Sequence, residues 1–335
     1  MARTLRLLVR SAIALTVVAA AIAAALAWWI RLPLPLPTSP FTFDVKPGAT
    51  LKSVARDLAA AKALPAEWPL VAMARLKGAD RAIKAGNYEI TEGITLARLL
   101  DKLTLGDVTQ TAFTIVEGTT FAELAGAIAA NPNIVRSVLD LPVGELGRRI
   151  GVPGTGVEGW FFPDTYFIAT GSTDLALLTR AHRLMRSRLD AAWAKRAEDS
   201  PLKDSYEALI LASIVEKETG RVADRPLIAS VFVNRLRLGM RLQSDPTVIF
   251  GLGAKFDGNL RKRDLEHDTG YNTYTRDGLP PTPIALPGQA SLDAVTAPPK
   301  TGYLYFVARG DGTSEFSANL ADHNRAVAKF QLGRR

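Results

Sequence analysis

Two glutamates, Glu216 and Glu218, follow a strongly apolar segment and are the best candidates for chemistry in this sequence. The segment Tyr206–Val215 predicts a helix with Ser205 as its N-cap and Gly220 as its C-cap, so both carboxyls fall in the last helical turn. The negative end of a helix and apolar neighbours both disfavour a carboxylate, which raises its pKa. A glutamate in this position can act as a general acid near neutral pH.

The two glutamates point about 200° apart around a helix, so only one of them can face a given cleft. Glu218 continues the apolar stripe of Ile210 and Ile214, and we expect it to be the inward residue. Glu216 follows a different stripe, and its role stays open. Taken alone, a glutamate pair at the end of a helix is also explained as solvated surface.

The elements that must position these carboxyls come next in the chain. We predict a helix over 224–238, an irregular proline-rich loop over 271–288, a hairpin over 303–316 and a final helix over 320–330. Long irregular loops that carry amide and aromatic groups are usually functional in a compact domain.

Four segments in this order resemble the endolytic murein transglycosylase (YceG-like) family. They are LASIVEKETG (211–220), RLGMRLQSDPTVIFG (237–251), YNTYTRDGLPPTPIALPG (271–288) and YLYFVARGDGTSEFSANLADHN (303–324). The resemblance implies a lyase that cuts nascent peptidoglycan strands internally, between N-acetylmuramic acid and N-acetylglucosamine. Such an enzyme leaves 1,6-anhydro-N-acetylmuramic acid ends and terminates strands or sets their length. The catalytic glutamate of the family matches Glu218, in agreement with the stripe argument.

The mechanism expected from this resemblance needs one carboxyl group. Protonated Glu218 gives its proton to the glycosidic oxygen, and as a carboxylate it then takes a proton from the muramic C6 hydroxyl, which attacks C1. Because this nucleophile is intramolecular, no second carboxylate is needed to activate water.

Polarity, aromatic character and the resemblance together suggest which residues bind the glycan. We predict that the wall of the cleft is formed by Gln243, Ser244, Asp245, Tyr271, Asn272 and Tyr274. Ser244 and Asp245 have a simpler alternative role as caps of a short helix that begins at Pro246. The other polar residues that we weigh are Glu158 and Asp164 as further acids, and Asn319, His323 and Asn324 as groove or structural residues.

No cofactor and no metal ion are expected. The chain has no cysteine and three histidines, and it lacks the H-E-x-x-H pattern of zinc peptidases. The formal net charge of +8 does not indicate nucleic-acid binding, because no basic module interleaved with aromatic residues accompanies it.

A short pattern of strand, glycine turn and helix occurs three times, over 43–58, 88–100 and 113–128. In each copy a glycine permits the turn, and a threonine two residues later can cap the helix. The first copy resembles a LysM-type module, a small unit found in many proteins associated with the cell wall. Whether this module binds glycan stays open.

The N-terminal region predicts a membrane anchor. Residues 11–30 carry no charge, and a helix of that length reaches roughly 30 Å, the thickness of the hydrocarbon core. Arg3, Arg6 and Arg10 precede the run and Arg31 alone follows closely, which places the N-terminus in the cytoplasm. A cleaved signal peptide is the alternative. We therefore expect a single-pass protein of the cell inner membrane with a periplasmic catalytic domain.

The predicted fold class is α+β, in six parts. They are a cytoplasmic N-terminus (1–10), a transmembrane helix (11–30), a Pro-rich stalk (31–40), a LysM-like module (41–110), a second repeat-like or connecting region (111–157) and a catalytic domain (158–335). The expected partners are peptidoglycan glycan strands, the membrane and, by family context, peptidoglycan synthases. The competing function is a non-catalytic scaffold that binds peptidoglycan and recruits such synthases.

Overall fold

The computed structural model describes residues 16–18, 20–21, 28–46, 48–154 and 156–333. These residues contain both helices and short strands, with a run of consecutive helices over 174–296, which confirms the α+β class. Within the described residues, no helix is both long and apolar enough to cross a membrane. Most of the predicted span 11–30 lies outside the described residues.

The chain divides into two compact units. The first comprises Met1–Thr111 and Ile168–Ser172, and the second comprises Ala112–Phe167 and Thr173–Arg335. The finer sequence-based division into six parts stays a prediction.

The first unit is built around one antiparallel strand pair with helices packed on it. Its elements are β1 (Phe41–Val45), α1 (Leu51–Ala60), α2 (Trp68–Leu76), β2 (Gly86–Ile90) and α3 (Leu96–Leu105). Phe43 on β1 lies opposite Tyr88 on β2, and their rings stack 5.6 Å apart. The apolar faces of the helices pack with these strands in one core, because the leucines of α1 and α3 recur at helical spacing.

The repeated pattern of glycine and threonine forms as predicted. Thr50, Thr95 and Thr120 are N-caps whose side-chain oxygens accept a backbone N–H three residues later. The glycine two residues before each threonine has a positive φ of 75° to 87° in the loop between strand and helix.

The Pro-rich segment 31–40, predicted to be a stalk, lies against the first unit. The Leu34 amide donates to the Ile94 carbonyl at 2.8 Å, and Leu34 and Leu36 pack on the core of the unit. These leucines alternate with prolines, which have no backbone N–H. The segment therefore packs its leucine side chains on the core without regular backbone hydrogen bonding.

The second unit contains the remaining helices and strands, apart from residues 110–111 and 168–172, which belong to the first unit. They are β3 (Gln110–Thr114), which begins in the first unit, α4 (Phe121–Ala130), β4 (Ile134–Val135), α5 (Val143–Ile150), β5 (Thr165–Ala169), β6 (Ser172–Thr173), α6 (Asp174–Trp193), α7 (Ser205–Glu218), α8 (Arg225–Arg237), α9 (Asp245–Leu252), α10 (Lys262–Glu266), α11 (Gln289–Thr296), β7 (Tyr305–Ala308), β8 (Ser314–Ser317) and α12 (Leu320–Val327). β3 pairs with β5, β4 with β6, and β7 with β8. The proline-rich stretch 271–288 contains no helix or strand, as predicted.

Helix α7 is the centre of the second unit. Its nine residues Ala208–Glu216 are all buried, because α6, α8 and α11 pack around it. Both predicted caps are wrong by one residue. Asp204 is the N-cap and accepts the Glu207 N–H at 2.8 Å, and Thr219 is the C-cap in an extended conformation. The helix therefore ends at Glu218 without needing the left-handed residue that Gly220 was expected to supply.

Candidate active site

Glu218 is the last residue of α7 and lines a cavity of about 620 Å³. The cavity lies between the end of α7 and the segments that carry β7, β8 and α12. Its other lining residues are Arg235, Leu242, Gln243, Asp245, Tyr274, Tyr305, Phe306, Val307, Ala308, Ser314, Leu320, His323, Asn324, Val327 and Gln331. Aromatic rings and hydrogen-bonding groups in one concave surface suit a sugar, whose C–H faces stack on rings while its hydroxyls hydrogen-bond.

The Glu218 carboxyl is held in its protonated form close to neutral pH. Burial is the main cause and raises its pKa to about 7, with a smaller contribution in the same direction from the negative charge of Asp245. Two groups oppose this shift, namely the hydroxyl of Ser244 and the guanidinium of Arg235. The Ser244 hydroxyl donates to Glu218 Oε1 at 2.5 Å, which fixes the direction of the carboxyl group.

The segment before α9 places Ser244 against Glu218. Gln243 has a φ of +50°, which is unusual for a residue with a side chain, and its N–H donates to the Thr273 carbonyl at 3.1 Å. The Ser244 N–H donates to Thr273 Oγ1 at 3.0 Å, and Ser244 is fully buried. Its side chain makes no helix-capping bond, although it is the N-cap of α9, since its hydroxyl is directed to Glu218.

A tyrosine and an aspartate form a second polar pair in the cavity. The Tyr274 hydroxyl donates to Asp245 Oδ1 at 2.5 Å, and burial raises the tyrosine pKa so that the ring stays a neutral donor. The Tyr274 N–H donates to Asn272 Oδ1 at 2.8 Å. Asn272 is completely buried, and its Nδ2 donates to the carbonyls of Leu265 and His267. Asn272 thus holds the loop that carries Tyr274.

The six predicted binding residues therefore occupy different places. Gln243, Asp245 and Tyr274 line the cavity with Glu218, whereas Ser244 reaches Glu218 from within the protein. Tyr271 and Asn272 are not part of the described cavity lining. The Tyr271 hydroxyl hydrogen-bonds Thr282, and its ring packs edge-on against Phe250.

Glu216, whose role the sequence left open, is a structural residue. It is buried and accepts a hydrogen bond from Arg225 Nη2 at 2.6 Å. Its second oxygen accepts from the Gly288 N–H at 3.0 Å and from the Ser291 hydroxyl at 2.8 Å. This carboxylate joins α7 to α8 and α11. Glu216 and Glu218 therefore have different environments, although both lie in the last turn of α7.

The other acids weighed from the sequence also have local partners. Burial raises the pKa of Glu158 to about 7, but both of its oxygens accept the Phe121 N–H at the start of α4. Asp164 accepts the Thr165 N–H at 2.7 Å. Neither of them belongs to the described lining of the Glu218 cavity.

Arg235 and Tyr305 are lining residues that the sequence analysis did not select. Arg235 lies within the predicted helix 224–238, where an arginine is most simply interpreted as solvated. Its contact with Leu304 joins residues far apart in the chain, and its contact with Leu242 depends on the turn after the helix, so the helical pattern predicts neither of them.

Removing the Glu216 carboxylate should destabilise the fold. We expect Glu216→Ala to lower the free energy of unfolding by about 3–5 kcal/mol, because the buried Arg225 would lose its close partner and keep only the half-exposed Glu117 at 3.4 Å. Glu145→Ala, which breaks an exposed pair with Arg149, is the control and should cost less than about 1 kcal/mol. Urea denaturation measures both values, and equal costs would contradict the structural role of Glu216.

Comparison with known proteins places the chain in one family. The YceG-like family matches residues 43–329. The endolytic murein transglycosylase of Bacillus subtilis (strain 168) is 33% identical over 306 residues, which cover 86% of this chain and 84% of that protein. The endolytic murein transglycosylase of Streptococcus pneumoniae serotype 2 (strain D39) is 32% identical over 211 residues, or 62% of this chain and 36% of that protein.

A solved structure agrees with this assignment. The crystal structure of a YceG-like protein from Listeria monocytogenes matches with a TM-score of 0.55 and 27% sequence identity, and the match covers 86% of this chain and 99% of that one. The residues that match the family, 43–329, include the helix that ends at Glu218 and all the lining residues of the cavity except Gln331. The chain therefore belongs to the YceG-like family.

Proposed function

We propose that this protein is an endolytic murein transglycosylase that cleaves the glycan strands of peptidoglycan. The observation that carries the proposal is a half-buried carboxyl group with a pKa of about 7, at the wall of a cavity of about 620 Å³ lined by aromatic and polar side chains. Membership of the YceG-like family supports it, as do the names of the relatives from Bacillus subtilis and Streptococcus pneumoniae.

In the first step, protonated Glu218 donates its proton to the oxygen that links C1 of N-acetylmuramic acid to N-acetylglucosamine. The bond from C1 to this oxygen breaks, the N-acetylglucosamine leaves with the proton, and positive charge develops at C1. Burial and the neighbouring charge of Asp245 keep the proton on Glu218 until the substrate arrives.

In the second step, the muramic C6 oxygen attacks C1 and closes the 1,6-anhydro ring. Its proton passes to the Glu218 carboxylate, which restores the starting state. The hydrogen bond from Ser244 stabilises this carboxylate between the two steps. Because the nucleophile belongs to the substrate, one carboxyl group serves both steps.

Replacing the acid should abolish anhydro-ended products. We expect Glu218→Gln to lower the rate by at least about 10²–10⁴-fold, since an amide cannot donate the proton. The matched control is Glu207→Gln at the other end of α7, whose carboxylate accepts the Lys203 N–H and which should keep normal activity. Mass spectrometry of fragments released from purified sacculi measures both.

A non-catalytic scaffold that recruits cell-wall synthases remains the alternative function. It predicts that Glu218→Gln restores normal growth and strand length in cells that lack the protein. Near-normal release of anhydro-ended fragments by Glu218→Gln would contradict the assignment of the acid itself.

The rate should depend on the protonation state of Glu218. We expect kcat to fall as the pH rises through about 7, because only the protonated form can start the reaction. Ser244→Ala removes a donor that favours the carboxylate and should move this midpoint to higher pH, whereas Asp245→Asn removes a negative charge and should move it lower. Rate profiles of the three proteins test this, and shifts in the same direction for both variants would contradict it.

We also propose that the protein is anchored in the inner membrane by residues 11–30, with the second unit in the periplasm. The bias of arginines toward the N-terminal side of this apolar run supports the orientation. We further propose that the strand–helix–helix–strand arrangement over Phe41–Ile90 is a LysM-like module. Peptidoglycan synthases are the proposed protein partners.

Cysteine labelling can test this topology, because the chain has no cysteine of its own. Leu105 is exposed on the first unit, so Leu105→Cys should react with a membrane-impermeant maleimide added to intact spheroplasts. Thr4→Cys should react only after the membrane is opened. Labelling of Thr4→Cys in intact spheroplasts would contradict the proposed orientation.

A further inference from the structure

We infer that Arg235 binds a carboxylate of the muramic acid residue, carried by its lactyl group or by the stem peptide attached to that group. This inference rests on the proposed function and assigns a binding contact in the same cavity. It follows from the position, the partners and the uncompensated charge of this guanidinium.

Arg235 is rigidly held by neutral oxygen atoms. Its side chain is almost fully buried, its Nε donates to the Leu304 carbonyl at 2.7 Å, and its Nη1 donates to the Leu242 carbonyl at 2.8 Å. Longer contacts join Nη1 to the Arg241 carbonyl and to Gln243 Oε1. Within the described residues no carboxylate forms an ion pair with this guanidinium.

The remaining nitrogen of Arg235, Nη2, is available to a ligand. It makes no hydrogen bond within the part of the chain that the structure describes, and it is not sealed from solvent. The guanidinium lies over the Tyr305 ring at 5.2 Å from its centroid, and the His323 ring also stacks on Tyr305, with 5.1 Å between the ring centroids. The guanidinium therefore offers one fixed edge to the cavity that also contains Glu218.

A buried cation with only neutral partners favours an anionic ligand. Carbonyl oxygens accept hydrogen bonds from the guanidinium but do not neutralise its positive charge, and burial reduces the stabilisation of that charge by water. Glu218 cannot serve as a permanent counter-ion, since it carries a proton when the reaction starts, and Asp245 accepts the hydrogen bond of Tyr274.

Muramic acid carries the carboxylate chemistry that N-acetylglucosamine lacks. The two sugars alternate along the strand, and both contribute hydroxyl and N-acetyl groups. A contact between Arg235 and a carboxylate would therefore set the register of the strand, with C1 of muramic acid at Glu218. This contact explains how one of two alternating glycosidic bonds is selected.

The experiment compares strands with free and with neutralised carboxylates, using the full chain. One pair of substrates consists of strands without stem peptides, with the lactyl carboxylate free or converted to its methylamide. The other pair consists of strands with stem peptides, with the peptide carboxylates free or converted to methylamides. Release of anhydro-ended fragments gives kcat/KM for each of the four.

We expect neutralisation to lower kcat/KM of the unmodified protein by about 10- to 100-fold within one pair, as for the loss of one charge-assisted hydrogen bond. The pair that responds identifies the lactyl group or the stem peptide as the source of the carboxylate. In Arg235→Gln this difference between free and neutralised strands should disappear. Arg237→Gln, two residues along the same helix and ion-paired with Asp199, should retain it.

Equal cleavage of all four substrates by the unmodified protein would overturn the inference while leaving the proposed function intact. This outcome would overturn the inference even if Arg235→Gln does not fold. Retained discrimination in a folded Arg235→Gln would also overturn it. The absence of anhydro-ended fragments from every substrate would instead refute the proposed function, and the inference with it.

Discussion

The candidate site depends on one unfavourable arrangement, a half-buried carboxyl group at the negative end of a buried helix. Helix α7 is enclosed by α6, α8 and α11, and it ends at Glu218, where the chain turns into an extended Thr219. Charge on this carboxyl is disfavoured by burial, and a single hydroxyl, that of Ser244, donates to it. The group therefore keeps its proton near neutral pH, as a general acid requires.

The neighbouring Glu216 shows how the environment can give two glutamates of one turn opposite roles. Arg225, the Gly288 N–H and the Ser291 hydroxyl surround Glu216 and stabilise it as a carboxylate that joins three helices. Glu218 instead faces a cavity and has Asp245 as a neighbouring charge. The structural carboxylate holds α7 against α8 and α11, and Ser244 fixes the direction of the other carboxyl.

The sequence contained enough information for the helix, the capped repeats and the inward direction of Glu218, because these follow from local periodicity and from glycine and threonine spacing. It did not contain the partners of Glu216 or Arg235, since those contacts join residues that are far apart in the chain. The local pattern also cannot distinguish Ser244 as a helix cap from Ser244 as the donor to Glu218. The same limit applies to Asn272, whose amide holds the Tyr274 loop from a fully buried position.

The central claim is that the pKa of the Glu218 carboxyl is raised to about 7 before any substrate binds, so that a large fraction of the protein carries this proton at neutral pH. Carbon-13 NMR of the glutamate carboxyl groups, compared between the unmodified protein and Glu218→Gln, measures this directly. The account predicts two resonances that titrate near pH 7, those of Glu158 and Glu218, and only the Glu218 resonance should be missing from the variant. A Glu218 resonance that titrates at the ordinary value of about 4.5 would contradict it.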